Sequence, residues 1–167
     1  MKFTVAILVN NQFGVLNRVT SMFRRRQFNI TSLTVSETES EEFSRITVQS
    51  EGDEVKKQQL INQLYKLPDI VSVAELSNEE TVNRELLLVK LHNNPETRAD
   101  VRSAIDAFEG KIVDYTKESQ TIQMVGDSRK IDNFITLMKE YGIMEICRTG
   151  VVSLQRGAST IRKVTNF

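Results

Sequence analysis

The chain has 167 residues, room for one ordinary domain or for two small ones of roughly 75–80 residues each. Its 40% apolar and 26% charged residues belong to a packed globular protein, and 22 basic against 22 acidic side chains leave no positive excess of the kind general nucleic-acid affinity needs. The apolar runs are only a few residues long, too short for a membrane-spanning helix. The single cysteine, Cys147, cannot close an internal disulfide, and no charged-then-apolar leader opens the sequence, so the expected location is the cytoplasm.

Phe3, Val5, Ile7 and Val9 alternate as in a strand. Val15, Leu16, Val19, Met22 and Phe23 then recur at helical spacing and predict a helix with one buried stripe. Between them lies Asn10-Asn11-Gln12-Phe13-Gly14. A strand that ends in polar residues and a glycine before a helix start places a small polar ligand against bare backbone. The helix N-terminus offers unpaired N–H groups and partial positive charge to a carboxylate. The Asn11 amide both donates and accepts, and Gly14 leaves room for close approach. The same strand–glycine–helix junction also serves as a plain structural turn.

Asn29 to Val35 and Phe43 to Gln49 are β-prone, with Glu37, Glu39, Glu41 and Glu42 marking an exposed hairpin loop between them. A second helix runs from about Asp53 through Val55, Leu60, Ile61, Leu64 and Leu67 until Pro68-Asp69 stops it, and Ile70 to Leu76 is a fourth strand. Polar, acidic Ser77 to Arg84 reads as a linker. The order then repeats. Leu86 to Leu91 is a strand. Pro95 begins a helix carrying Val101, Ile105 and Phe108, which Gly110 ends. Lys111 to Thr116 and Ser119 to Val125 form a hairpin, Asp127-Ser128 caps a helix bearing Ile131, Phe134, Ile135 and Met138, and Ile143 to Cys147 closes the repeat.

The fold class is therefore α+β, two tandem ferredoxin-like βαββαβ domains, each a four-stranded antiparallel sheet with two helices on one face. The boundaries are 1–77, a linker at 78–84, a second domain at 85–157 and a flexible tail at 158–167. Such sandwiches leave a sheet face and edge strands uncovered, and Thr4, Ala6, Leu8, Thr31, Leu33 and Val35 are candidates for surface hidden only in an oligomer.

The order strand, N-x-x-G, helix, then Phe28-Asn29-Ile30-Thr31-Ser32-Leu33, resembles the start of an ACT domain, an amino-acid-sensing module. With V-Q-S-E-G-D from Val48 to Asp53 and R-T-G-V-V-S-L-Q-R-G from Arg148 to Gly157, residues 1–157 resemble the small regulatory subunits of acetolactate synthase (acetohydroxyacid synthase). The resemblance implies a homodimer paired through its ACT domains, with the effector at their junction. It implies a catalytic large subunit as partner, which holds thiamine diphosphate, flavin and magnesium, so that this chain carries no cofactor. It also implies feedback inhibition by an end product of branched-chain amino-acid synthesis, L-valine first. Asn11 of one protomer and Asn29 of the other are then candidate polar contacts. The N–H groups around Gly14, Val15 and Leu16 would hold the carboxylate, and Val15, Leu16 and Ile30 would line an apolar pocket. The second domain reads His92-Asn93-Asn94-Pro95 in place of the N-x-x-G loop and is not expected to bind valine in the same way; dimerisation or catalytic-subunit contact is its expected role.

No catalytic constellation appears. His92 ends a strand and reads as a surface side chain, and Cys147 reads as a small buried apolar group. One histidine and one cysteine do not make a zinc site. Arg24-Arg25-Arg26 has two readings, a solvated helix C-terminus complementing the dipole or a contact for an acidic patch on a catalytic partner. RNA-recognition modules share the ferredoxin-like order but need an aromatic signature that these central strands lack. A free-standing ACT-type sensor for another enzyme or regulator is the alternative function, which the closing R-T-G-V-V-S-L-Q-R-G disfavours.

Overall fold

A computed structural model describes residues 1–76 and 79–162. It forms two compact units: Met1–Val82 together with the chain from Val151 onward, and Asn83–Gly150.

In the first unit the elements are β1 (Lys2–Asn10), α1 (Val15–Arg25), β2 (Ile30–Glu37), β3 (Phe43–Glu51), α2 (Glu54–Leu64) and β4 (Ile70–Leu76). The antiparallel sheet runs β2-β3-β1-β4, with Val5 opposite Val48 and Ile7 opposite both Ile46 and Val73. Those side chains share one face with Phe3 and Val9 and pack against Val19, Phe23, Leu60 and Leu64 of the helices. Asp53 caps α2 by accepting the Lys56 N–H at 2.8 Å. Lys57, buried on α2, is neutralised by Glu54 at 2.8 Å and by Glu75 on β4.

β1 is buried on both faces, where alternation predicted one. Thr4, Ala6 and Leu8 are 7%, 0% and 2% exposed, so the expectation that only an oligomer hides them is corrected. The chain's own return segment, residues 151–162, packs against Ala6 and Leu8 of this face. The Val151 N–H donates to Ser32 Oγ and the Thr34 hydroxyl donates to the Val151 carbonyl, both at 3.1 Å. Arg45 donates to the Ser153 carbonyl at 2.7 Å, and Ser72 Oγ to the Ile161 carbonyl at 2.7 Å. Ile161 joins Ala6, Leu8, Ala74 and Leu76 in a second apolar cluster. Burial pulls the Arg45 guanidinium below its ordinary value. Within this segment lies β9 (Val152–Gln155); β5 (Thr81–His92) follows β4 in the chain, and the Arg156 N–H donates to the Glu80 carbonyl at 2.7 Å. Of the other residues assigned to oligomer surface, Leu33 is half-buried against the core, while Thr31 and Val35 are exposed on the edge strand.

Two boundaries change accordingly. Residues 151–157 pack with the first unit, not the second, and residues 158–162 of the expected tail are held in place; 163–167 lie outside the described residues. Of the expected linker 78–84, residues 81–84 belong to β5 and residue 78 lies outside the described residues.

The second unit continues from β5 through α3 (Arg98–Ala107), β6 (Lys111–Tyr115), β7 (Ser119–Gly126), α4 (Ser128–Met138), a 3₁₀ turn at Lys139–Tyr141 and β8 (Ile143–Arg148). Its sheet runs β6-β7-β5-β8, with Leu87, Val89 and Leu91 under Ile105 and Phe134. α3 starts at Arg98 rather than Pro95, because Asn94 forms a turn first: its side chain accepts the Glu96 N–H and its carbonyl the Thr97 N–H. At the far end Glu109 takes the left-handed conformation (φ 58°), and Gly110 is closely packed: a Cβ there would sit 3.3 Å from Ile105 and Ile122, which would have to give by a few tenths of an ångström. Arg148 bridges Glu85 (2.7 Å) and Asp132 (2.7 Å), and Ser128 also donates to Glu85, which is 4% exposed. Cys147 is exposed, not buried: it lies on edge strand β8, opposite exposed Leu88 on the sheet face away from the helices.

Candidate functional site

The loop from Asn10 to Gly14 is fixed at its start by two backbone hydrogen bonds. The Asn10 N–H donates to the Asp69 carbonyl at 2.9 Å, and the Asn11 N–H to the Glu42 carbonyl at 2.8 Å. Gly14 caps α1 with φ 83° and ψ 0°, a left-handed conformation that L side chains resist. Among the described residues no side-chain oxygen caps this helix, and its first turn carries no acidic residue. The Val15 N–H donates to the Gln12 carbonyl at 3.3 Å, and the leading N–H groups of α1 meet no carboxylate of their own. Val15 is buried in the core, Leu16 is half-exposed beside it, and Phe13 is fully exposed at the loop tip.

Asn11 is more constrained than its sequence position suggests. Its amide donates to the Glu41 carbonyl at 3.1 Å and to Glu37 Oε1 at 3.4 Å, while its Oδ1 accepts the Ser44 hydroxyl at 3.0 Å. The side chain ties the β1–α1 loop to the β2–β3 hairpin. One lone pair of Oδ1 remains for a further donor.

Asn29 and Ile30 lie elsewhere. The Asn29 carbonyl accepts Ser50 Oγ at 2.6 Å, and Ile30 pairs with Ser50, whereas Asn11 sits at the Ser44 end of β3. Six residues of extended strand separate those ends, roughly 20 Å. Within one chain Asn11, Gly14, Val15 and Leu16 form one group, and Asn29 with Ile30 form another. Both groups border β2, an edge of the sheet.

Three residues that the sequence reading did not place in the site belong to these surroundings. Arg18, one turn into α1, donates to Asp69 at 2.6 Å, and that hydrogen bond holds its guanidinium above the ordinary value. Its Nη1 lies 3.2 Å from where a Cβ on Gly14 would sit, so a cation borders the loop. Glu37 puts a carboxylate beside Asn11, and Phe13 presents an aromatic ring to solvent. The i+4 spacing from Gly14 to Arg18 was a readable signal; the approach of Glu37 depends on the hairpin.

Arg24, Arg25 and Arg26 are exposed at the C-terminal end of α1. Arg25 and Arg26 share a hollow with Lys66, which follows α2. Two helix C-termini converge there, and cations offset both dipole ends. Among the described residues no three His, Cys, Asp or Glu side chains converge as a metal-holding group, and no helix is long and apolar enough to cross a membrane.

Residues 5–72 match the family model described as an AHAS small subunit-like ACT domain, and residues 84–157 the model described as the small subunit of acetolactate synthase. The chain is 46% identical to a probable acetolactate synthase small subunit of Archaeoglobus fulgidus, over 94% of this chain and 98% of that one. It is 42% identical to the acetolactate synthase small subunit of Bacillus subtilis, over 94% and 92%. The crystal structure of the acetolactate synthase small subunit of Thermotoga maritima superposes with a TM-score of 0.87 at 34% identity, over 95% of this chain and 99% of that one.

Proposed function

The chain belongs to the acetolactate synthase small-subunit family, and on that premise we propose that it is the regulatory subunit that binds the catalytic large subunit, raises its activity and makes it sensitive to L-valine. The observation that carries the effector part is the uncapped N-terminus of α1 behind Gly14, bordered by Arg18 and Asn11. It suits the carboxylate of an amino acid.

The effector site is completed by a second copy of the chain. Among the described residues β2 is an unpaired sheet edge, and a two-fold antiparallel pairing of two β2 strands sets the start of one beside the end of the other. Asn29 and Ile30 of the second copy then approach Glu37, which neighbours Asn11. Leu16 and Ile30 supply the apolar wall, while the Val15 side chain is turned into the core. Such a wall separates valine from leucine by about 1–3 kcal/mol per methylene. Inhibition requires only that valine favour one arrangement of the paired domains and the large subunit another. A coupling of about 1–3 kcal/mol is reciprocal, so the large subunit must weaken valine binding to the same extent. No chemistry is assigned to this chain; the reaction belongs to the large subunit.

The test is thermal unfolding of the purified protein against L-valine, L-leucine, L-isoleucine and D-valine, repeated with the large subunit present. A ligand at 100 times its dissociation constant stabilises the native state by about 2.7 kcal/mol. A shift specific to L-valine supports the reading; no shift with any of the four, in either setting, overturns the feedback part. Failure to co-purify with a thiamine-diphosphate-requiring large subunit would favour the free-standing sensor.

A further inference from the structure

One residue of the second sheet is out of keeping with its register. Along β7 the alternate positions Gln120, Ile122 and Met124 are buried on the helix-facing side. Ile122 and Met124 fill the core, and Gln120, 2% exposed, takes the third such place. Its Nε2 has no hydrogen-bond partner among the described residues. A buried donor left in that state is destabilising, and leucine in its place would avoid the penalty.

Gln120 lines a cavity of about 660 Å³ between α3 and the β6–β7 hairpin, within the size range of small-molecule sites. Ala99 and Ile112 give it apolar walls, and the Tyr115 ring, half-exposed, stands at its edge. Two cations reach it from α3. Arg98 is held from behind: its Nε donates to Asn93 Oδ1 at 2.9 Å, and Asn93, 5% exposed, is itself anchored by donating to the Thr116 carbonyl at 2.6 Å. The Arg98 guanidinium carbon lies 5.9 Å from the centre of the Tyr115 ring. Arg102 follows one turn along the same helix and pairs with Asp106 at 3.5 Å, where both side chains are 66% exposed. The cavity therefore grades from an unused amide donor at its buried end to guanidinium groups at its mouth.

We propose that this cavity binds a small organic carboxylate: the carboxylate on Arg98 and Arg102, an apolar body against Ile112, Ala99 and the Tyr115 ring, and a second oxygen acceptor on the Gln120 amide. The guanidinium fork matches a carboxylate geometrically. The site lies wholly in the second unit and does not depend on the effector reading of the first.

The probe is 3-benzoylpropanoate, which has a carboxylate, a ketone and a phenyl body, titrated into the full ¹⁵N-labelled chain. The Gln120 side-chain amide signals are assigned by their loss in Gln120→Leu, and affinity is read by calorimetry. Saturable displacement of those signals is expected. Binding should weaken at least tenfold for 4-phenylbutanoate, which lacks the ketone, and for 3-benzoylpropanamide, which lacks the charge. Arg98→Gln and Gln120→Leu should each weaken the probe at least tenfold, Gly14→Asp should leave it unchanged, and Gln120→Leu should raise the unfolding midpoint. An undisturbed Gln120 amide, equal binding by Gln120→Leu, a lowered midpoint in that variant, or the same displacement by inorganic phosphate overturns the proposal.

Discussion

Ile161→Ala tests whether residues 151–162 are structural cover for the first sheet. Ile161 is 8% exposed and shares its cluster with Ala6, Leu8, Ala74 and Leu76. Full burial of an isoleucine is worth about 1.5–3 kcal/mol, and isoleucine-to-alanine changes in cores cost about 2–5 kcal/mol. The Ser72 hydrogen bond ends on the Ile161 carbonyl and survives the substitution. The site is also at the rim, where neighbours can relax, so the expected loss is about 2 kcal/mol, near the low end of that range. For a unit of this size that lowers the midpoint by about 8–16 °C. Urea denaturation supplies the free energy, and native-state hydrogen exchange locates it: Ala6, Leu8 and Ala74 should lose protection while Leu87, Val89 and Leu91 keep theirs. A loss under about 0.5 kcal/mol, or an equal loss in both units, would refute the reasoning. A fragment of residues 1–82 should likewise expose this face and bind a hydrophobic dye, and a peptide of residues 151–162 added in trans should suppress the dye signal.

Gly14→Asp should cost the fold about 1 kcal/mol for the left-handed backbone, a conformation aspartate tolerates better than most residues. It should abolish L-valine inhibition of the reconstituted holoenzyme, because two carboxylates about 4 Å apart repel by up to about 4 kcal/mol at an effective dielectric of 20; persistent inhibition would sink the site assignment. Asn11→Ala removes the ties to Glu41, Glu37 and Ser44, and should lower stability by about 1–2 kcal/mol and speed exchange at Thr38 and Phe43. Unchanged exchange there would show that Asn11 does not hold the hairpin. Arg148→Leu leaves Glu85 buried without its cation and should cost about 3 kcal/mol in urea titration, part of which Glu85→Gln in the same chain should restore. A neutral single variant would mean that Ser128 alone satisfies Glu85.

Local pattern carried most of the architecture. Alternation in Phe3 to Val9, the helical spacing of Val15 to Phe23, and the cap at Asp127 each act within a few residues, and the structure forms both βαββαβ units from such local signals. The return segment was not legible for a physical reason. It buries Val151, Ser153 and Ile161 at unequal intervals and draws its hydrogen bonds from Ser32, Thr34, Arg45 and Ser72, so it has no period of its own. Cys147 was misread because an apolar-looking strand can still be an edge whose outer face is open. In the effector loop, the glycine and the bare helix start follow from adjacent residues. The occupation of the Asn11 amide follows only from the fold of the hairpin above it. Gln120 looked like any polar residue in a strand; its register against Ile122 and Met124 is what makes it unusual.

The return segment also bears on how the chain reaches its native state. The second unit is one uninterrupted stretch, 83–150, and has all its parts as soon as that stretch has been synthesised. The first unit begins earlier but lacks its outer cover until residue 161 is available, some 150 residues after Leu8 joined the growing chain. During elongation the unit that starts first is therefore completed after the second, and the apolar outer face of β1 and β4 stays open to chaperones or to other nascent chains until residue 161 has been added.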